Sequence, residues 1–383
     1  MNQTGLLQLL AIPTAPYREE RVSQWIQTEL RKHQVPYFCD TFGNLVVGVS
    51  SEQEYRILLS QPEKEPLRMF VAHMDHPGFH GTRWKSSSQL EVKWLGGTPR
   101  KHLVGSAVWL ALPDGTTTSG TLVSATLDRN KTHLVKAMIR CDLIPEKVDA
   151  KQLFGGFAFK APVWKKGSLI YTKAADDLVG CFVAIELLKK VIEDRPRRAI
   201  ALLTRAEEVG FVGCIAHVTS SGIQEAKRPL VFVSLETSRT LPGAEIGKGP
   251  VVRLGDRASI FSAAGSEVLH QVAEKKLKKK YQRRIMDGGT CEATVGVAHR
   301  IPSIGISIPL GNYHNQGLQG GPECRGELGP APEFVSISDI QGMLKLCEGL
   351  LEVNLPWEDP WENRRQQLGK YLKEGKPLLE RFS

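Results

Sequence analysis

Apolar and polar positions alternate along the chain in two different ways. Before residue 79 and after residue 166, apolar runs of strand length alternate with segments whose apolar residues recur at helical spacing. The strands predicted in this part are residues 35–40, 44–49, 68–73, 199–203, 229–235 and 304–308. The helices predicted there include residues 19–32, 176–190, 212–219, 266–280 and 338–352. Strands and helices that follow one another in this way predict an α/β fold.

Residues 79–166 show a different pattern. Short runs of alternating polarity recur between turn sequences such as Gly96-Gly97-Thr98-Pro99, and there is little helical periodicity. We therefore expect a small β-rich, barrel-like module inserted into the α/β part. The predicted domain organisation is a discontinuous domain of residues 1–78 and 167–383 and an inserted domain of residues 79–166. The charged, proline-containing residues 357–383 are expected to add no core.

Composition and charge exclude few classes of protein. The chain has 383 residues, of which 41% are hydrophobic and 24% charged, as is usual for a soluble globular protein with room for two cores. The net charge of +9 comes partly from a basic run at 275–284, which could be a nucleic-acid or membrane patch. Val268, Val272 and Leu277 lie near helical spacing around it, so a solvated helix face is the better interpretation. We expect neither nucleic acid nor a membrane as partner.

The cysteines and the N-terminus indicate a cytoplasmic protein. Seven cysteines are scattered without a CxxC pair, which fits reduced thiols better than a disulfide framework. The apolar stretch from Leu6 to Ile12 lacks a cationic region before it and is followed by Pro13 and Pro16, unlike a secretory signal. No uninterrupted apolar segment approaches the length of a membrane span.

Five positions at strand ends or in loops carry side chains that bind metals. They are His73 with Asp75, Asp176 with Asp177, Glu207 with Glu208, Glu236, and His314. Each has an ordinary structural interpretation: the Asp pair could cap a helix, and the Glu pair could open one. Taken together, they supply imidazole and carboxylate groups at the carboxyl ends of strands, where open α/β sheets bind ligands. Such groups suit Zn²⁺, Co²⁺ or Mn²⁺, and a site with two of these ions suits hydrolysis.

The order and surroundings of these positions resemble those of the M42 glutamyl aminopeptidase family, whose clan includes the M20 and M28 peptidases. Residues 72–76, AHMDH, resemble the AHMDE segment of the family, and residues 173–181, KAADDLVGC, resemble its KALDNRxGC. Residues 207–213, EEVGFVG, resemble EEVGLRG, residues 247–250 match GKGP, and residues 287–290, DGGT, resemble its GGTDA region. The resemblance extends to about residue 352 and implies a zinc-peptidase-like α/β/α sandwich.

The resemblance also implies roles for individual residues. One metal would be held by His73, Asp176 and Glu236, and the other by Asp176, Glu208 and His314, with Asp176 as the bridge. Glu207 would be the general base, taking a proton from a metal-activated water and returning it to the leaving amine. Asp75 would support His73. The inserted domain resembles a β-rich domain that assembles family members into hollow homo-oligomers.

Several residues depart from the family pattern. His76 replaces an acid, Glu236 stands where an Asp is more common, and Cys291 follows Thr290 where an acid is expected, with Glu292 only an approximate substitute. The connection after His314, residues 316–332, is longer than expected. These departures bear on substrate preference more than on metal binding.

The function predicted from the sequence is a two-metal aminopeptidase acting on peptides. A carboxypeptidase, amidase or deacylase of the same clan is the alternative that Glu236 favours. A non-catalytic assembly protein is a further alternative, although it would have no reason to keep every ligand type together with the base.

Overall fold

The computed structural model describes residues 1–142, 148–194 and 197–380. The strands in chain order are β1 (Tyr37–Cys39), β2 (Leu45–Val47), β3 (Leu67–His73), β4 (Gly78–Trp84), β5 (Gln89–Leu95), β6 (Ala107–Ala111), β7 (Thr117–Leu127), β8 (Leu134–Cys141), β9 (Phe154–Phe157), β10 (Val163–Lys166), β11 (Leu169–Thr172), β12 (Ala199–Thr204), β13 (Leu230–Arg239), β14 (Val251–Asp256), β15 (Gln282–Met286), β16 (Ser303–Leu310) and β17 (Glu333–Ser336). The α-helices are α1 (Gln3–Ala11), α2 (Glu20–Lys32), α3 (Glu52–Ser60), α4 (Leu178–Val191), α5 (Val212–Ser220), α6 (Ala263–Leu277), α7 (Ala293–Ala298), α8 (Ile337–Gly349) and α9 (Glu362–Leu379).

The largest sheet of the described residues has eight strands in the order β1-β2-β12-β3-β13-β16-β14-β15. Its centre, β12-β3-β13-β16, is parallel. Every residue of β3, β12 and β16 is buried, which is the composition expected of strands covered on both faces. Because the central strands are parallel, their carboxyl ends meet at one edge of the sheet.

Helices cover both faces of this sheet. One face packs its alternate residues, such as Phe70 and Ala72, against α1, α2, α4, α6 and α8. The opposite face packs Met69 and Val71 against α3, α5 and α7. The predicted α/β/α sandwich is therefore confirmed.

Strands β4 to β9 form a closed barrel in the order β4-β5-β8-β7-β6-β9. Its interior is a separate apolar cluster that includes Phe79, Leu90, Trp94 and Phe157. The β-rich, barrel-like insert expected from the sequence is confirmed as an architecture, whereas the domain limits at 78/79 and 166/167 stay predictions. After the barrel, the chain passes through β10 and β11 and then reaches α4. Strands β10 and β11 form a small separate sheet with β17.

Three of the described α-helices, α3, α7 and α9, were not predicted. Helix α3 begins at the cap residue Ser51, whose side chain accepts a hydrogen bond from Glu54 N at 3.1 Å. Helix α9 lies in the tail and has no buried residue, as expected. The start of the tail departs from the expectation, because Trp357 packs against the apolar core and Pro360 is buried. Residues 381–383 lie outside the described residues. The part of the chain described here contains no helix with both the length and the apolar character that a membrane crossing requires.

Candidate metal centre

The residues with metal-binding side chains lie at the carboxyl edge of the large sheet. His73 is the last residue of β3 and pairs with Thr204, the last residue of β12. Glu207 and Glu208 lie in the turn just after β12, and His314 lies in the turn after β16. Asp176 lies between β11 and α4. Residues that are far apart in sequence meet here because parallel strands end at the same edge.

One local expectation and one alternative interpretation need correction. Glu236 does not follow its strand but lies inside β13, which continues to Arg239, because the pairing with β16 extends to Leu310. The Glu pair does not open a helix, since α5 begins only at Val212. Asp177 caps α4 by accepting a hydrogen bond from Gly180 N at 3.2 Å, which leaves its neighbour Asp176 to the metal centre.

Asp176 lies between the two histidines. Its Oδ1 is 3.5 Å from His73 Nε2, and its Oδ2 is 3.6 Å from His314 Nε2. His314 Nε2 is also 3.1 Å from Glu208 Oε1, and His73 Nε2 is 3.8 Å from Glu207 Oε2. A carboxylate that offers one oxygen to each of two imidazoles is in the position of a bridging ligand.

Two groups of side chains have ligand atoms close enough to share a cation. Potential ligand atoms of His73, Asp176 and Glu208 all lie within 4.8 Å of one another, as do those of His73, Glu207 and Glu236. Glu236 Oε1 is buried without a hydrogen-bond partner among the described residues, and Glu208 Oε1 is 3.1 Å from His314 Nε2. Buried carboxylates without partners are costly unless a cation compensates them. The residues present therefore fit divalent metal ions.

The pKa values of the buried acids and of His73 are shifted because several carboxyl groups lie close together away from solvent. Burial raises the pKa of Glu207 well above its usual value and raises the pKa of Glu236 to about 8. Burial opposes the charging of His73, but the carboxylates of Glu207, Asp176 and Asp75 outweigh it and raise the pKa of His73 well above 6.5. The site thus strongly favours positive charge at its centre.

Asp75 supports the turn that carries the two glutamates. Its Oδ1 accepts a hydrogen bond from Glu207 N at 3.0 Å, and its Oδ2 accepts one from Glu208 N at 3.1 Å. The Oδ1 atom also lies 3.6 Å from His73 Nδ1. Asp75 therefore connects the end of β3 to the turn after β12. It also lies next to the imidazole of His73, which it was expected to support.

The sequence reasoning missed two buried glutamates at the centre. Glu19 accepts hydrogen bonds from Ala206 N at 3.0 Å and from Arg205 Nε at 2.7 Å. Glu333 accepts hydrogen bonds from the backbone of the segments that carry Asp176 and His314. Both act on backbone N–H groups of distant segments, so no local motif indicates their role. The one signal in the sequence is that Glu333 directly precedes the apolar pair Phe334-Val335, after the long connection 316–332.

His76 is buried beside the centre but belongs to neither group of potential ligands. Its Nδ1–H donates to Asp176 O at 2.7 Å, and its Nε2 lies 3.3 Å from Asn315 Oδ1. Burial lowers the pKa of His76 to about 4, so the ring is neutral at pH 7. His76 thus contacts the backbone of a predicted ligand, not a metal position.

Two cysteines and one further glutamate lie behind the centre. Burial raises the pKa of Cys181 and of Cys214 well above 9, so neither is a thiolate nucleophile at neutral pH. Glu292 is also buried, and burial raises its pKa to about 7. Its Oε1 has no hydrogen-bond partner among the described residues.

A cleft of about 540 Å³ opens over the metal centre, lined by residues of the large sheet and of the barrel. Glu207, Glu208 and His314 line its floor, and Arg100 and His133 line the barrel side. The barrel loop touches the centre directly: a Cβ at Gly97 would lie 1.8 Å from His314 Nδ1, so only glycine fits there.

A small recess adjoins the cleft on the other side of the metal centre. Arg239, Gly288, Gly289, Thr290 and Tyr313 line both spaces. The recess alone is lined by Glu236, Arg253, Leu241 and Met286. Arg253 is 2% exposed and its Nε has no hydrogen-bond partner among the described residues, so a buried cation adjoins the predicted ligand Glu236.

An α/β/α sandwich with an inserted barrel and a buried cluster of histidines and carboxylates at the strand ends defines a class of metallopeptidases. The chain belongs to the M42 glutamyl aminopeptidase family, whose sequence model matches residues 56–318. It is accordingly a metallo-aminopeptidase.

Individual relatives agree with this assignment. A protein of Acetivibrio thermocellus named as an inferred aminopeptidase is 25% identical over 333 residues, which are 86% of this chain and 92% of that protein. A TET1 peptidase of Pyrococcus horikoshii, which can assemble into a tetrahedron or a large octahedral shell, is 23% identical with a TM-score of 0.70; the match covers 91% of this chain and 98% of that one. An aminopeptidase of Desulfurococcus kamchatkensis is 21% identical with a TM-score of 0.72, covering 93% and 96%. At these identities the two structures show the fold alone.

Proposed function

We propose that this enzyme releases N-terminal residues from peptides at a centre that holds two divalent metal ions. The observation that carries the proposal is Asp176, whose two carboxylate oxygens face His73 and His314 in a buried site. His73, Asp176 and Glu236 would hold one ion, and Asp176, Glu208 and His314 the other. Imidazole and carboxylate ligands favour Zn²⁺, with Co²⁺ or Mn²⁺ as other candidates. Bound ions of this kind polarise a carbonyl oxygen and lower the pKa of water.

Glu207 is the general base in this proposal. Its carboxylate lies 3.8 Å from the ring of His73, on the floor of the cleft where a peptide would lie. Burial raises its pKa, and a base is most effective when its pKa approaches the working pH. Glu207 takes a proton from the attacking water and returns it to the leaving amine. Asp75 fixes the backbone of Glu207 and so its distance from the scissile bond.

The cleft supports a preference for acidic N-terminal residues. The recess itself holds only about 20 Å³, so a substrate side chain would lie in the cleft, which is lined by Arg100, Arg239 and Arg257; Arg239 also lines the recess. A carboxylate on the substrate side chain would pair with these guanidinium groups of the cleft. The family description, glutamyl aminopeptidase, agrees with this preference.

We further propose that the enzyme forms a homo-oligomer through the barrel and works in the cytoplasm. The Pyrococcus horikoshii relative can assemble into a tetrahedron or a large octahedral shell, and its match covers 91% of this chain. All seven cysteines are free thiols, as expected in a reducing compartment.

The test compares wild-type protein with Glu207→Gln and with the control Glu186→Gln, which alters a buried glutamate on α4 that pairs with Lys189. Metal content and release of N-terminal residues from unblocked peptides are measured together. We expect wild type and control to bind two ions per chain and to be active. Glu207→Gln should keep the metal and lose about 10²–10⁴-fold in kcat.

The choice of peptides separates the alternatives. A panel that begins with Glu, Gln, Leu or Lys should show the highest kcat/KM for Glu, and N-acetylation should abolish cleavage. Activity confined to N-blocked peptides or small amides would favour an amidase or deacylase, and release of C-terminal residues a carboxypeptidase. Wild-type protein without metal or activity after reconstitution would contradict the proposal.

A further inference from the structure

Glu333 is a fully buried carboxylate that lies beside the metal centre without facing it. It is the first residue of β17 and pairs with Thr172 at the end of β11. Strand β11 leads directly to the segment that carries Asp176, so Glu333 lies next to that segment although it is 157 residues away in sequence.

The two oxygens of Glu333 bind two different segments. Oε2 accepts hydrogen bonds from Ala175 N at 2.7 Å and from Asp176 N at 3.2 Å. Oε1 accepts a hydrogen bond from His314 N at 2.9 Å. One side chain therefore binds the backbone N–H groups of two predicted metal ligands, Asp176 and His314, which are far apart in sequence.

We propose that Glu333 is a positioning residue that sets the separation and orientation of Asp176 and His314. The inference rests on the proposed function, because it takes these two residues as ligands that share the metal centre. Glu333 itself binds no metal in this account. Its carboxylate acts through the two backbone segments. Loss of this carboxylate would therefore change the positions of Asp176 and His314, and with them the metal affinity, more than it would change the fold.

His314 needs such support because of its local backbone. Its φ is 54°, and Asn312 and Asn315 also have φ values in the left-handed region, at 54° and 57°. Residues other than glycine adopt this backbone conformation uncommonly, and surrounding contacts hold them in it. Residues 316–332 then form a long connection, of which Gln316 and Leu318 still line the cleft, before the chain returns at Glu333. The bond from His314 N to Glu333 Oε1 closes the base of this long excursion.

The neighbouring hydrogen bonds reinforce the same two segments. His76 donates to Asp176 O at 2.7 Å, and Asn315 Nδ2 donates to Lys173 O at 3.1 Å. These bonds link the Asp176 segment to the end of β3 and to the residue after His314. Glu333 differs from both because it alone, among the described residues, bonds to the main chain of Asp176 and of His314 together.

Asp339 provides a matched control. It is also fully buried, and its carboxylate accepts hydrogen bonds from Gly247 N at 2.6 Å and from Gly249 N at 2.9 Å. Neither glycine belongs to the predicted metal centre. Asp339→Asn therefore removes a buried carboxylate that binds main-chain N–H groups and leaves the ligands untouched.

The experiment measures Zn²⁺ affinity and the visible spectrum of the Co²⁺-substituted protein for wild type, Glu333→Gln and Asp339→Asn. An amide nitrogen cannot accept a hydrogen bond, so Glu333→Gln loses the bond to one segment. We expect its Zn²⁺ affinity to fall about 10–100-fold and its cobalt absorption bands to shift. Asp339→Asn should keep the wild-type affinity and spectrum even if its melting temperature falls.

Each outcome decides the question. Wild-type affinity and an unchanged cobalt spectrum in Glu333→Gln would overturn the inference and leave the proposed function intact. Wild-type protein that binds neither Zn²⁺ nor Co²⁺ would overturn the proposed function itself, and the inference with it. If Glu333→Gln does not fold, Glu333→Asp keeps the charge on a shorter side chain and is judged by the same affinity and spectrum.

Discussion

Buried carboxylates that accept hydrogen bonds from the main chain fix the turn of residues 206–208. Glu19 accepts from Ala206 N, while Asp75 accepts from Glu207 N and Glu208 N. Three consecutive N–H groups are thereby held by two side chains from distant parts of the chain. Since Glu207 and Glu208 have different proposed roles, the geometry of this turn determines whether both can act.

Glu19 makes the stability of the protein depend on pH. Burial and the nearby charge of Asp75 raise the pKa of Glu19 from 4.5 to about 7, although the Arg205 ion pair opposes the shift. The folded state therefore favours the protonated carboxyl. The stability from this group is present in full below about pH 4.5 and is lost as the pH rises through about 7.

Glu19→Gln tests this assignment in metal-free protein, where no ligand titrates against a metal. Gln cannot ionise, so the free energy of unfolding of the variant, relative to wild type, should rise by about 2 kcal/mol between pH 5 and pH 8. Urea denaturation at intervals across this range provides the measurement. A difference between the two proteins that does not change with pH would refute the assigned titration.

Single residues differ in how far the sequence reveals their role. The ligand types and the Glu pair could be singled out because they lie at the ends of predicted strands or in loops, and the structure brings them together. Their roles as ligands and base stay predictions. Glu19 and Glu333 could not be found, because their partners are backbone groups whose positions exist only in the folded chain.

Elements with strong periodicity were predictable, and isolated ones were not. Helices α4, α6 and α8 were predicted to within a few residues, because their apolar faces pack on the sheet. Only Lys275 and Lys276 of the basic run lie on α6, where they pair with Glu352; the helix ends at Leu277, before the predicted end at residue 280, and Arg283 and Arg284 lie in β15. Helices α3 and α7 gave no comparable signal because they have only 9 and 6 residues, and α9 gave none because it buries none of its residues.

Removal of residues 361–383 tests the status of α9. No residue from 362 to 379 is buried, and Leu372 is 60% exposed. We expect the truncated protein to keep its peptidase activity and a melting temperature within about 2 °C of wild type, since the loss of exposed segments changes stability little. Differential scanning calorimetry and light scattering check both fold and assembly. A large loss of stability would mean that α9 packs against another subunit.

At the scale of the whole molecule, the parallel sheet gathers distant residues and the barrel covers them. The α/β order and the β-rich insert followed from the pattern of apolar positions. The contact between the barrel loop at Gly97 and His314 did not, because it depends on how the two parts pack. The same packing creates the cleft, whose far wall carries Arg100 and His133. Peptide selection is therefore a property of both parts together.

The most direct test of the two-metal centre is anomalous diffraction at the zinc edge from crystals of the zinc-loaded protein. The account predicts two peaks about 3.5–4 Å apart, both in contact with Asp176. One peak should also contact His73 and Glu236, and the other Glu208 and His314. A single peak, or ions held elsewhere, would contradict the central claim.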